Sequence, residues 1–501
     1  MRNIKIILSL LLLVAFSSCD DFLSETPDNR LQIDTPEKIS ELLADAYPDG
    51  TYMEIAETMS DNVSDNKTAL VNLNNVQNYN WDLQDDQTGR DTQGFYWNAC
   101  YKAIATANQA LLSIKELGDT PNLNPQKGEA LLARAYAHFM LFSLWSNRYN
   151  PATAATDLGI PYVTEPETVL VGSYKRNSIK EVFDLLQSDI EEGLKYVTND
   201  YRTDYLKYHF NKEAAKAFAA RFYTVKGDWN RVLELTEGLG NAPVGKLRDW
   251  AAYNAYDFPS KPIEYAKNTQ NTNLLVGFPS SIWGRGISSN RFFFTRAKER
   301  DEILGSQTNI FNKDWLIDIV IVGASGANVA VYKFDEYFKY TNVTAQIGLP
   351  FTGVVLFSND EMFLNRIEAH VMTNQLDIAN TELEYFLATR TDGYNPATDV
   401  LTKEKVYAKY PVIADEYTPF YTLTPEQTSY IKAITEARRR EFLHEGLRWF
   451  DIKRFNLVVA HDTYNQQGQI TKNNILVKDD KRRAVQIPLN ASNNGIEKNP
   501  R

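Results

Sequence analysis

The spacing of apolar positions divides the chain into two helical stretches separated by a segment with no helical period. Thr35-Pro36 opens the first helix, Thr as N-cap and Pro at the first helical position. Ile39, Leu42, Leu43 and Ala46 then recur on one face. Residues 60–92 are rich in Asn, Asp and Gln and read as mostly loop. From Gly94 the helices lengthen. Trp97, Tyr101, Ile104, Asn108 and Leu111 share a face, and Pro125 precedes a second helix over 128–145. Ser178 and Glu181 form a capping box for 179–197. Asn211 caps another helix, Gly227 closes it, and Asp228 starts the next. Ala133/Ala137 and Ala215/Ala219 place small residues one turn apart beside large aromatics. Small-against-large packing of paired antiparallel helices is how tetratricopeptide-like solenoids are built, although the period of ~34 residues is not strict here.

Residues 240–358 change character. Gly, Pro, Asn and aromatics dominate, with a short helical turn expected near 312–319 and a β-like run at 329–334. Helices return at 360–373, 377–390, 425–445 (opened by a Thr424–Gln427 capping box) and 447–456, and the tail 457–501 reads as irregular. The expected fold class is mainly α, a TPR-like superhelix of helical pairs with a loop-rich, irregular lobe. Its divisions are a leader at 1–18, a helical region at 19–240, the lobe at 241–358 and a helical region at 359–501, with 19–501 forming one unit.

The N-terminus sets the compartment. Arg2 and Lys5 precede an apolar run from Ile6 to Phe16 broken by Ser9. That run is too short for a bilayer span of ~20 residues and suits a signal-peptide core. Cys19 follows two serines and precedes Asp20-Asp21, an arrangement that resembles the bacterial lipoprotein signal, in which the cysteine is lipidated; Phe16 stands where an aliphatic residue is usual. Of the 2 cysteines this leaves Cys100, a small buried hydrophobe with no disulfide partner. The 64 Asp+Glu outnumber the 53 Lys+Arg, a net charge of −11, which argues against binding nucleic acid.

Several blocks together resemble the SusD/RagB family of surface lipoproteins. ITEARRREFLHEGLRWFDIKRFN (434–456) is similar to its C-terminal signature. FYWNACYKAIATANQALL (95–112), GEALLARAYAHFMLFSLW (128–145), LGIPYV (158–163) and NKEAAKAFAARFYTVKGDWNRVLE (211–234) are similar to its helical blocks, in order. NRYNP (147–151) departs from the Tyr-Gly-x-x-Pro turn that many members carry. The resemblance implies a lipid-anchored protein on the outer face of the outer membrane. It would be a binding protein and not an enzyme, capturing oligosaccharide, or in some branches peptide, for a SusC-like TonB-dependent transporter.

The ligand site has no fixed motif, so its candidates come from residue chemistry. Trp97 and Trp145 lie on helical faces at core spacing and Trp449 sits in the signature block, and all three read as core. Trp81, Trp250 and Trp283 fall in polar or glycine-rich stretches, where an exposed ring can cover the apolar face of a sugar while amides and cations meet its hydroxyls. The candidate set is Trp81 with Asn78, Asn80 and Arg90, Trp250 with Tyr253, and Trp283 with Arg285. Loss of Trp81 or Trp283 is then expected to weaken glycan binding without lowering the melting temperature. Asp82, Asp85, Asp86 and Asp91 lack the glycine pivot of a calcium loop and read as solvated. No His pair, nucleophile motif or phosphate loop stands out, so no metal, cofactor or catalytic residue is expected. The charge block from Arg438 to Arg454 reads as a structural ion-pair network, with local i+3 and i+4 pairs.

Overall fold

The computed structural model describes residues 33–501 apart from 70, 168–171, 173 and 324–325. The leader and Cys19 lie outside the described residues. Helix α1 (Pro36–Leu43) begins where its cap requires, the Thr35 hydroxyl accepting from the Lys38 N–H. A short helix α2 (Met53–Met59) follows, and a two-residue strand β1 (Ser64–Asp65) and helix α3 (Leu73–Tyr79) then lie within 60–92, the stretch expected to be mostly loop. Then come α4 (Gln93–Glu116), α5 (Asn124–Trp145), α6 (Ile179–Tyr196), α7 (Lys212–Lys226) and α8 (Trp229–Thr236). Both halves of the Ser178–Glu181 capping box form, and Gly227 ends α7 at a φ of 79°.

Helix α5 packs against both α4 and α6. The α5–α6 approach needs glycine: a Cβ at Gly128 would lie 2.6 Å from the Val197 nitrogen, and one at Gly193 would lie 2.7 Å from Leu132 Cγ. Ala133, Ala137, Ala215 and Ala219 are fully buried, and Tyr136, Phe139 and Phe218 meet edge to face beside them. The fold is therefore mainly helical and built from TPR-like helical pairs.

The lobe contains short helices at Trp250–Asn254 (α9), Ser260–Tyr265 (α10) and Trp283–Ser289 (α11), and no helix at 312–319. Its strands pair in twos. Strand β2 (Asn273–Gly277) runs antiparallel to β8 (Val354–Ser358), and β3 (Phe292–Phe293) pairs with β1. Strand β4 (Val320–Val322) pairs with β5 (Asn328–Ala330), so the β-like run at 329–334 pairs only at its start. Strands β6 (Glu336–Asn342) and β7 (Ile347–Thr352) form a hairpin in which Tyr337 faces Phe351 and Phe338 faces Pro350.

The C-terminal helices are α12 (Asn359–Met372), α13 (Leu376–Ala388), α14 (Lys403–Lys409), α15 (Pro425–Glu441) and α16 (Leu447–Phe455). Helix α12 packs on α8, α13 and α15, joining the two helical regions. The tail is less irregular than expected, for β9 (Val459–Tyr464) and β10 (Ile470–Leu476) form a hairpin. The charge block is an ion-pair network, and its main pairs are long-range. Arg438 binds Asp451, Arg448 binds Asp61, Arg454 binds Glu368, Glu441 binds Arg390 and Glu445 binds Lys333, beside the local Arg440–Glu436 pair. One apolar cluster runs from Ile39 to Ala491 and includes residues of the lobe.

Candidate functional site

The three loop tryptophans are core residues. Trp81 is buried, donates its indole N–H to the Met59 carbonyl at 3.0 Å, and ends a column of rings in which Phe292, Tyr79, His461 and Trp81 stack in turn. Trp250 is fully buried and donates to the Glu441 carboxylate at 3.1 Å. Trp283 is fully buried and donates to the His444 carbonyl at 3.1 Å. A ring with no accessible face and a satisfied N–H offers nothing to a sugar. The expectation that these rings form a stacking surface is corrected. The polar surroundings that suggested it bond the loops to distant core elements.

The companions divide. Asn78 is fully buried and accepts from Gln93 at 3.0 Å; Asn80 is buried and accepts from Lys472 at 2.8 Å. Tyr253 is buried, donating to the Tyr332 carbonyl at 2.6 Å. Arg90 and Arg285 are different. Arg90 donates to the Ser280 hydroxyl at 2.7 Å, and the Ser280 N–H donates to Asp49 at 2.8 Å. Arg285 is exposed and paired with Glu336 at the base of the β6–β7 hairpin. Arg90 thus holds the segment next to Phe278, and Arg285 holds the start of β6, next to Tyr337.

A cavity of about 360 Å³ lies between the helical scaffold and the lobe. Its walls are the 44–52 segment after α1, Lys102 of α4, Tyr208-His209, and Val276–Pro279 with β8. At the lip, Phe278 is 42% exposed and lies near three further rings: Tyr208 at 5.9 Å, Tyr337 at 6.0 Å and Phe351 at 6.3 Å. Tyr337 and Phe351 stack across the hairpin at 5.5 Å. Gly353 makes room for Phe278, since a Cβ there would lie 3.0 Å from its ring. The Arg90–Ser280–Asp49 chain fixes the turn that carries Phe278.

The polar part of the wall is equally held. His209 Nδ1 lies 2.7 Å from Glu129 and the Tyr47 hydroxyl donates to the same carboxylate at 3.0 Å, while the Phe210 N–H donates to Tyr47 at 2.7 Å. Tyr52, Tyr96 and Tyr136 line the floor, and burial pushes all three phenols well above their ordinary range, so they remain neutral. Asp45, Asp49 and Lys102 are exposed at the rim. Apolar ring faces bordered by carboxylates, an ammonium and an imidazole match a ligand that is apolar on its faces and hydroxylated at its edge.

The acidic residues of 82–91 do not converge. Asp85 accepts from Gln77, Asp86 accepts from the Thr88 and Gly89 N–H groups, and Asp91 is buried on Ser281 and the Ile282 N–H. Among the described residues no group of three or more His, Cys, Asp or Glu is placed to hold a metal ion. Sequence reasoning missed Phe278, Tyr337 and Phe351. The aromatic and Thr content of 336–342 (EYFKYTN) is the local signal of strand propensity there.

Comparison with known proteins agrees with this architecture. Residues 21–224 match a family model described as "Starch-binding associating with outer membrane", and residues 361–494 match the SusD family. The chain belongs to the SusD/RagB family. SusD-like protein P38 of Formosa agariphila is 32% identical over 139 residues, which span 26% of this chain and 23% of that protein. A SusD superfamily protein from Bacteroides thetaiotaomicron shares the fold at a TM-score of 0.63 and 17% identity, over 93% of this chain and 100% of that one. A SusD-like carbohydrate binding protein from Bacteroides vulgatus shares it at 0.63 and 16% identity, over 92% and 96%.

Proposed function

We propose that this protein is a cell-surface lipoprotein that captures an oligosaccharide and delivers it to a partner SusC-like TonB-dependent transporter in the outer membrane. The observation that carries the reading is the cluster of Tyr208, Phe278, Tyr337 and Phe351 at the lip of a cavity with a polar rim. The family's association with the outer membrane and the carbohydrate-binding relative support it. Capture at a membrane-held lid raises the effective concentration of ligand over the transporter, so modest affinity per site suffices. Peptide capture, the other reading the family allows, has no specific feature here to favour it.

The test is a calorimetric titration of the protein with a panel of neutral oligosaccharides and short peptides. A glycan is expected to bind. Phe278→Ala is expected to weaken it about tenfold, the loss of one stacked ring, ~1.4 kcal/mol. Binding of peptides alone, or a glycan affinity unchanged by Phe278→Ala and Tyr337→Ala, would falsify the assignment.

A further inference from the structure

A second and larger cavity, of about 660 Å³, also borders β2 and the 203–208 turn. On the 203–208 turn, Lys207 lines the second cavity and Tyr208 the first; on β2, Leu274 lines the second and Val276 the first. Its floor is apolar, formed by Leu235, Leu239, Leu274 and Met362. Its charged residues are Lys207, Lys216, Lys246 and Glu213. In a chain of net charge −11, a cavity lined by three ammonium groups and one carboxylate runs against the whole.

We infer that this cavity is a second binding site and takes an anionic saccharide, one bearing carboxylate or sulfate groups, with Lys207, Lys216 and Lys246 as its cations. That it takes an anion follows from the lining; that the anion is a saccharide rests on the proposed function. The lysines keep donors to spare. Lys207 uses one N–H on the Gln270 carbonyl at 2.8 Å and Lys246 one on the Gly238 carbonyl at 2.9 Å. An ammonium has three N–H donors, so each retains two. Lys216 is exposed on α7 and has no ion pair among the described residues. Glu213 is engaged by the Asn199 side chain at 2.8 Å. Burial alone lowers the pKa of Lys207, with no carboxylate opposing it, as expected of a half-buried cation still short of a counter-ion. The apolar floor suits the C–H face of a sugar ring, while the ammonium groups meet acidic substituents at its edge.

The test titrates the full-length protein with trigalacturonate, a sulfated disaccharide, an uncharged trisaccharide and inorganic sulfate. At least one acidic saccharide is expected to bind. It should bind tenfold or more weakly to the Lys207→Gln/Lys216→Gln/Lys246→Gln variant, with an affinity that falls as salt rises and is unchanged by Phe278→Ala. Lys216→Gln alone alters an exposed side chain and is expected to shift affinity the same way with unchanged melting, which separates lost binding from misfolding. Failure of both acidic saccharides to bind, or equal binding by the triple variant, overturns the site. Binding of inorganic sulfate without either saccharide overturns the saccharide assignment. The uncharged trisaccharide with Phe278→Ala reads the aromatic surface separately, so the two proposals fail independently.

Discussion

Phe278 and Trp283 lie in one stretch of the lobe and meet opposite surroundings. Trp283 is fully enclosed, with its N–H on the His444 carbonyl and its ring against Phe293 at 5.6 Å. Trp283→Ala would remove a large buried side chain and leave the His444 carbonyl without its donor. It is expected to cost about 3–5 kcal/mol of stability, read as a large drop in denaturant midpoint. Phe278 keeps one side in water, so Phe278→Ala is expected to cost about 1 kcal/mol or less while weakening ligand binding. A midpoint for Trp283→Ala within error of the wild type would contradict the burial described above.

At the scale of elements, α2 does more than its seven residues suggest, because all of them are buried and its two acids reach different parts of the fold. Glu54 accepts from Asn290 beside α11, at 3.0 Å, and Glu57 accepts from the His444 and Gly446 N–H groups at 3.0 and 3.2 Å. Burial raises both carboxyls, Glu54 to about 8 with help from the charge of Asp91, and Glu57 to about 7. A folded-state pKa above the unfolded value means the native state holds the proton more tightly. The stability this gives is complete below the ordinary Glu value of about 4.5 and is lost as pH rises through 7–8. Glu54→Gln keeps the acceptor for Asn290 and removes one proton from that balance. The wild type is expected to lose stability relative to Glu54→Gln between pH 5 and pH 8, with a slope of at most about 1.4 kcal/mol per pH unit. Parallel urea midpoints for the two proteins across that range would show that Glu54 is not held protonated.

For the whole molecule, the first question is how it is held at the membrane. No helix among the described residues is long and apolar enough to cross a bilayer. In the proposed reading the attachment is lipid on Cys19. Each buried CH₂ contributes ~0.8 kcal/mol, so several acyl chains hold firmly where one would not. Cys19→Ala is expected to move the protein from the membrane fraction to the soluble fraction, followed by immunoblotting. Retention in the membrane fraction would remove the anchor from the proposal.

Much of the helical framework was legible in the sequence, because its signals are local. Thr35, Ser178, Asn211 and Thr424 cap helices through N–H groups three residues onward, and Gly227 adopts the left-handed conformation its position requires. Such contacts are decided within a turn of the helix. The site was less legible. Trp81, Trp250 and Trp283 belong to the core. Whether an aromatic in a polar loop is enclosed or exposed depends on partners far along the chain: His461 for Trp81, Glu441 for Trp250 and His444 for Trp283. The sequence by itself determined where helices start and stop and which family the chain resembles, since hydrogen bonds between near neighbours and blocks of contiguous residues carry that information. Only the tertiary structure decided which rings face water, because burial is set by what folds over a residue and no local pattern states that.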